Sequence, residues 1–153
     1  DNYLFRTTEA YLNLAEAAAL DNDEDIAREK LQLLRGKRYK TPPALNATGN
    51  ALVDSIRLER QRELCLEGHR WYDLRRYTVC DKYRWSKEYT HVYYDFKIDP
   101  DTYSQVISQA RYYRLEKDDK AYTLALPREV IEFQNTLGKN ERPDREPYET
   151  INY

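Results

Sequence analysis

Apolar residues recur at helical spacing through the first 77 positions of the chain and lose that spacing afterwards. Tyr11, Leu14, Ala15 and Ala18 stand at i, i+3, i+4 and i+7, the stripe of an amphipathic helix. Thr7 or Thr8 caps it, Glu9 lies in the first turn where the helix dipole favours an acid, and the helix runs to about Leu20. Asp21-Asn22-Asp23 reads as a short turn, with Asp23 capping a second helix whose face is Ile26, Ala27, Lys30, Leu31 and Leu34 and which Gly36 ends. Two helices joined so tightly make a tetratricopeptide-like hairpin, and the small residues Ala15, Ala17, Ala18 and Ala19 let its helices approach closely. Pro42-Pro43 forbids helix, so 36–50 is a loop. A long third helix is predicted from about Ala51 to Glu67, with Gly68 breaking or bending it before a further helical segment from His69 to Tyr77.

Beyond Thr78 the segments 89–96 and 111–126 are rich in β-formers, and Asp118-Asp119 lies between two candidate strands like a hairpin turn. Pro127 followed by Glu129 and Ile131 predicts one short helix, and Glu141 to Tyr153, polar and carrying two prolines, is expected to lie extended. The predicted fold is therefore mainly α: a tetratricopeptide-like hairpin plus a long helix, followed by an irregular segment with a small β-hairpin. Residues 1–153 read as a single region, helical over 1–77 and mixed over 78–153.

Composition adds a thin core to this picture. Leu, Ile, Val and Phe make up 31 of 153 residues, near the level at which chains stop folding, but the net charge is only −2 and 15 tyrosines are present. Tyrosine is expected to fill the core where leucine is scarce. No apolar run reaches membrane-spanning length, and the first residues carry no basic or apolar leader. With no methionine and a single helical hairpin, the chain reads as a piece of a longer protein. Cys65 and Cys80 allow one bridge or two free thiols and have no metal-ligand spacing around them.

The chemistry is concentrated in 56–76. On a helical projection with Leu52 at zero, Ile56, Val53 and Leu64 fall within about 120° and define a buried face. Glu63, Glu67 and Arg60 fall inside that same arc and Glu59 at its edge, near 340°, while Leu58 and Cys65 form a second apolar strip. Carboxylates at i, i+4 and i+8 repel, and burial makes the repulsion costly unless cations answer them. Arg60, Arg70, Arg75, Arg76 and Arg6 are the available forks. An ion-pair network of Glu59, Arg60, Glu63, Glu67, Arg70, Asp73, Arg75 and Arg76 is expected, with Trp71 and Tyr72 packed beside it. Paired carboxylates could also serve acid–base catalysis, but interleaved arginines would hold them ionised and occupied. His69, without another histidine nearby and outside a Glu-x-x-His spacing, reads as a packing or ion-pairing residue. Six arginines against four acids over 56–77 could suggest a nucleic-acid patch, which the buried placement and a pI near 5.8 argue against.

The run Glu59-Arg60-x-Arg62-Glu63-Leu64, continued by Glu67-Gly68-His69-Arg70-Trp71-Tyr72-Asp73-Leu74-Arg75-Arg76, resembles the signature of SusD/RagB proteins. Arg6 to Ala17 is similar to the helix that precedes it in that family, and Tyr122 to Ile131, followed by Asn135 and Asn140, to the closing strand and turn. Tyr77-Thr78 and Ala125 depart from the usual aromatic–glycine pair and second proline, departures expected to touch loop geometry.

The resemblance implies the C-terminal part of a larger surface lipoprotein of the outer membrane in Bacteroidota. Such a protein is not an enzyme. It binds glycans or other nutrients and delivers them to a SusC-like TonB-dependent transporter, and its membrane attachment is a lipid anchor outside this region. No cofactor, metal or nucleic acid is implied. Among the aromatics of 83–113, Trp85, flanked by Arg84 and Ser86, is the one candidate sugar-stacking platform, whereas Trp71 is expected in the core. The alternative is a helical-repeat module that binds a peptide or partner protein.

Overall fold

A computed structural model describes residues 6–134, 136–138, 140, 142 and 144–153. Asn135 and Glu141 lie outside the described residues. The chain is mainly α with a small antiparallel sheet, and it divides into two compact units between Trp85 and Ser86.

The first unit holds α1 (Thr7–Leu20), α2 (Glu24–Arg38), α3 (Gly49–Glu63) and α4 (His69–Thr78). The α1–α2 turn closes both helix ends at once. Asn22 takes the left-handed conformation (φ 68°), the Asp23 N–H donates to Ala18 O at 2.8 Å and the Asn22 N–H to Ala19 O at 3.4 Å, a Schellman closure. The Asp23 carboxylate then accepts the Ile26 N–H as the cap of α2. The start of α1 is different from expectation: Arg6, not a threonine, occupies the cap position, with no side-chain cap bond. The inward face of α1 is also rotated. Leu12, Ala15, Glu16, Ala18 and Ala19 are buried while Tyr11 and Leu14 are exposed. Leu12, Ala15, Ala18 and Ala19 form one core with Ala27, Leu31 and Leu34 of α2 and Leu52, Val53 and Ile56 of α3, against which Leu45, Ala47 and Tyr83 pack.

Two helix ends differ from the sequence expectation. Gly36 does not end α2, which continues to Arg38. A mid-helix glycine costs roughly 1 kcal/mol, and the arginines on either side, Arg35 and Arg38, both bond to α3 and hold the last turn in place. α3 stops at Glu63 and not at Glu67, because Leu66 (φ 63°) and Gly68 (φ 80°) are both left-handed and turn the chain into α4. Arg6 covers that end by donating to the Glu63 carbonyl, one of the acceptors a helix terminus leaves open.

In the second unit, β1 (Tyr89–Ile98) pairs antiparallel with β2 (Gln105–Leu115), from Tyr89 opposite Leu115 to Ile98 opposite Gln105, with a bulge at Asp95/Phe96. β3 (Glu149–Asn152) adds to the other edge of β2. The hairpin turn is 99–104, not Asp118-Asp119. The Asp99 carboxylate accepts the N–H groups of Asp101 and Thr102 at 2.8 and 2.9 Å, an Asx turn that outcompetes the later acidic pair. Asp119 instead starts a 3₁₀ turn at Lys120–Tyr122, beyond which α5 (Arg128–Phe133) follows. Tyrosine does not fill this unit: Tyr122 is buried, but Tyr93, Tyr94 and Tyr103 are exposed.

Candidate functional site

α3 is the axis of the charged cluster, and its side chains descend along α1 while they ascend along α2. Arg57 Nε donates to Glu16 at 2.9 Å, Arg60 Nη1 to Asn13 at 2.8 Å, and Arg6 reaches both Glu63 (3.1 Å) and Glu67 (2.6 Å). On the other side Arg35 meets Glu59 at 2.8 Å and Arg38 meets Glu63 at 2.6 Å. α4 closes the cluster: Asp73 accepts from Arg60 Nε at 2.7 Å and from Arg76 at 3.1 Å, and Arg76 also reaches Glu16 at 2.7 Å.

Of the sequence-predicted residues, the structure brings together Arg60, Asp73 and Arg76 in one group, and Glu63 and Glu67 around Arg6. Glu59 lies on the α2 side, where the Tyr39 hydroxyl also donates to it at 3.1 Å. Arg75 points to Thr78 Oγ1 at 3.0 Å, and the Arg70 guanidinium lies 5.7 Å from the centre of the Trp85 ring. The residues missed were Glu16, Arg57, Arg35 and Arg38. Glu16 carried a legible signal, since it lies at i+4 from Leu12 and beside Ala15, inside the small-residue stripe. Arg57 carried the same signal, since it lies at i+4 from Val53 and beside Ile56, at the edge of the buried face of α3.

Burial grades these pairs. Glu16, Arg57, Arg60, Asp73, Glu59 and Arg35 are all buried, whereas Arg6 and Arg38 keep much of their surface in water. The Arg38 hydrogen bonds hold the Glu63 carboxyl below its ordinary value. Burial works against the charge on Arg76, but the hydrogen bond and charge of Glu16 outweigh it and keep this guanidinium ionised. Tyr77, below the stacked guanidiniums of Arg57 (4.1 Å) and Arg76 (4.7 Å), is pushed well above the usual tyrosine range by burial and then by Glu16 and Asp73.

Two hollows adjoin the cluster. The larger, about 450 Å³, is lined by Leu64, Leu66, His69, Trp71 and the walls of Arg60 and Asp73. His69 Nδ1 lies 3.8 Å from Glu9, at the outer limit of an ion pair. The smaller, about 110 Å³, is lined by Asp54, Arg57, Gln61, Arg70, Tyr77 and Trp85. Trp85 is not a free platform. It is half-buried, meets Tyr77 edge-on at 6.1 Å and donates its main-chain N–H to Tyr77 O at 3.0 Å. Trp71 is half-buried too, not fully in the core. Cys65 and Cys80 are free thiols. Among the described residues no group of three or more His, Cys, Asp or Glu could hold a metal, and no helix is long and apolar enough to cross a membrane.

The chain matches the model of the SusD family over residues 1–142. No curated protein and no solved structure matches it.

Proposed function

Since the chain belongs to the SusD family, we propose that it serves in non-catalytic binding of glycans or other nutrients at the bacterial outer-membrane surface, for delivery to a SusC-like TonB-dependent transporter. The observation that carries this reading is the family match, which spans both the helical unit and most of the second one. The chemistry of the cluster agrees with it. Glu16, Glu59, Glu63 and Asp73 each accept hydrogen bonds from arginine, which occupies their oxygens within the cluster. Their role is to clamp α3 between its neighbours. Attachment to the membrane is assigned to a lipid anchor outside this region, and the ion-pair residues Glu59, Arg60, Glu63, Glu67, Asp73 and Arg76 are scaffold.

One observation favours the protein-interaction reading as well: the α1–α2 hairpin exposes Tyr11, Leu14 and Leu33. Calorimetric titration of the full-length protein with a panel of glycans, paired with co-purification from outer membranes, separates the two. Glycan binding together with recovery of a TonB-dependent transporter is expected. Co-purification of a soluble partner with no glycan or other nutrient bound would replace the first reading by the second.

A further inference from the structure

The sheet of the second unit has two edges of different length. β3 spans four residues, whereas β1 runs for ten, Tyr89–Ile98. The bonding of β2 fixes which groups of β1 look outward. Tyr112 O and Ser108 O accept the N–H groups of Tyr148 and Tyr153 on the β3 side, so Gln109, Arg111 and Tyr113 turn their main chain toward β1. By register they face Asp95, Tyr93 and His91. Thr90, Val92, Tyr94 and Phe96 therefore present their N–H and C=O groups to the open edge, and no loop among the described residues bonds to them. Proteins blunt such an edge with proline, central lysines or a bulge. β1 has no proline or glycine, its one lysine is Lys97 near the end, and the extra residue of the Asp95/Phe96 bulge, Ser108, lies in β2. Tyr93, Tyr94, Phe96 and Ile98 stay exposed along it.

We propose that this edge pairs antiparallel with the same edge of a second copy, with Tyr93 on the twofold axis. β1 is its own complement in that register. Val92 of one copy stands opposite Tyr94 of the other, and Thr90 opposite Phe96, so every outward group named above gains a main-chain partner. Residues directly opposite share a face, which sets their charges against each other. His91 meets Asp95 twice, once on each side of the axis, and just beyond the strand ends Lys87 meets Asp99 twice. Asp95 is already held by Arg111 at 2.9 Å, and a carboxylate has lone pairs left for an imidazole. The two Tyr93 rings meet at the centre, each with an Arg111 guanidinium 4.9 Å from its own. A slip of one step loses this match in either direction: centred on Val92 it sets Lys87 against Lys97, and centred on Tyr94 it sets His91 against Lys97. Such a twofold contact uses one patch on both copies and closes at a dimer. It goes beyond the nutrient reading and does not rest on it.

The test uses the full-length protein with its cysteines, Cys65 and Cys80 included, changed to serine. Sedimentation equilibrium is expected to show monomers and dimers in a concentration-dependent balance. At the axis the two Tyr93 residues form a non-hydrogen-bonded pair, where α-carbons stand about 4.5 Å apart, within disulfide reach. Tyr93→Cys should therefore give a covalent dimer on mild oxidation. Tyr94→Cys should not, because Tyr94 lies opposite Val92 and only diagonal to its own copy. Val92→Pro removes an outward N–H and no ladder bond to β2, so the melting temperature should hold while dimer affinity falls by about tenfold or more. Leu33→Glu, in the other unit, should leave the cross-link unchanged. A monomer at every concentration, cross-linking in Tyr94→Cys in place of Tyr93→Cys, or a dimer indifferent to Val92→Pro would overturn the proposal. Glycan binding by the same samples reports on the nutrient reading and succeeds or fails independently of this edge.

Discussion

The guanidinium carbon of Arg57 lies 4.1 Å above the centre of the Tyr77 ring, and the same guanidinium donates to Glu16 across the core. Tyr77 is the largest fully buried side chain of the unit, so a charged group is stacked where aliphatic packing would otherwise stand. Such a stack is stable only while Glu16 answers the charge.

Glu16→Ala therefore strands Arg57 in the core, and unfolding measurements should show a loss of about 3–5 kcal/mol. Glu63→Ala should cost less, about 1–2 kcal/mol, because its arginine partners Arg6 and Arg38 stay solvated when the carboxylate is removed. Equal losses at the two positions would mean that burial does not grade this network.

Trp85→Ala removes a ring that meets Tyr77 and carries Arg70, so denaturant melts should register a loss of about 1.5–3 kcal/mol. A ring free in solvent would give a shift near zero.

Acid should loosen the α2–α3 contact. In the unfolded chain Glu63 titrates near 4.5, while the Arg38 hydrogen bonds, with Arg6 behind them, hold its folded value lower. Between the two values the unfolded chain binds more protons, so this contribution is complete above about pH 4.5 and is lost as pH falls through the folded value. Denaturation midpoints across that window should fall less steeply in Arg38→Gln than in the parent.

The α3–α4 corner offers a paired backbone test. Leu66 is left-handed and fully exposed, so Leu66→Gly should stabilise by up to roughly 1 kcal/mol. Gly68 is left-handed with open space where a Cβ would stand, so Gly68→Ala should cost about 1–2 kcal/mol through φ alone. Melting of the two variants in opposite directions is the expected result.

Tyr11 and Leu33 flank a hollow of about 210 Å³ on the outer side of the α1–α2 hairpin. Sedimentation of the 153-residue chain should reveal concentration-dependent association, and Leu33→Glu should reduce it. A monomer at every concentration would place no partner on this face.

Much of the helical unit was legible in the sequence because its signals are local. The Asp21-Asn22-Asp23 turn, the Asp23 cap and the start of α4 near Gly68 depend on a few adjacent residues, and a 3.6-residue period reports which positions share a face. The charged stretch of α3 was recognisable for the same reason: acids inside an apolar arc demand cations, whatever the fold. Which cations answer was decided by tertiary structure. Glu16 and Arg57 are 41 residues apart and Arg6 and Glu67 are 61, so their meeting depends on how α1 lies against α3, which no local period encodes. The same holds for Trp85, whose neighbours in sequence say nothing of Tyr77 and Arg70, and for the hairpin turn, where an Asx turn at Asp99 and the full pairing of β1 with β2 displaced a plausible turn at Asp118. Local sequence sets which residues cannot be left unpaired; long-range packing chooses their partners, because only the crossing of helices brings distant side chains within hydrogen-bonding reach.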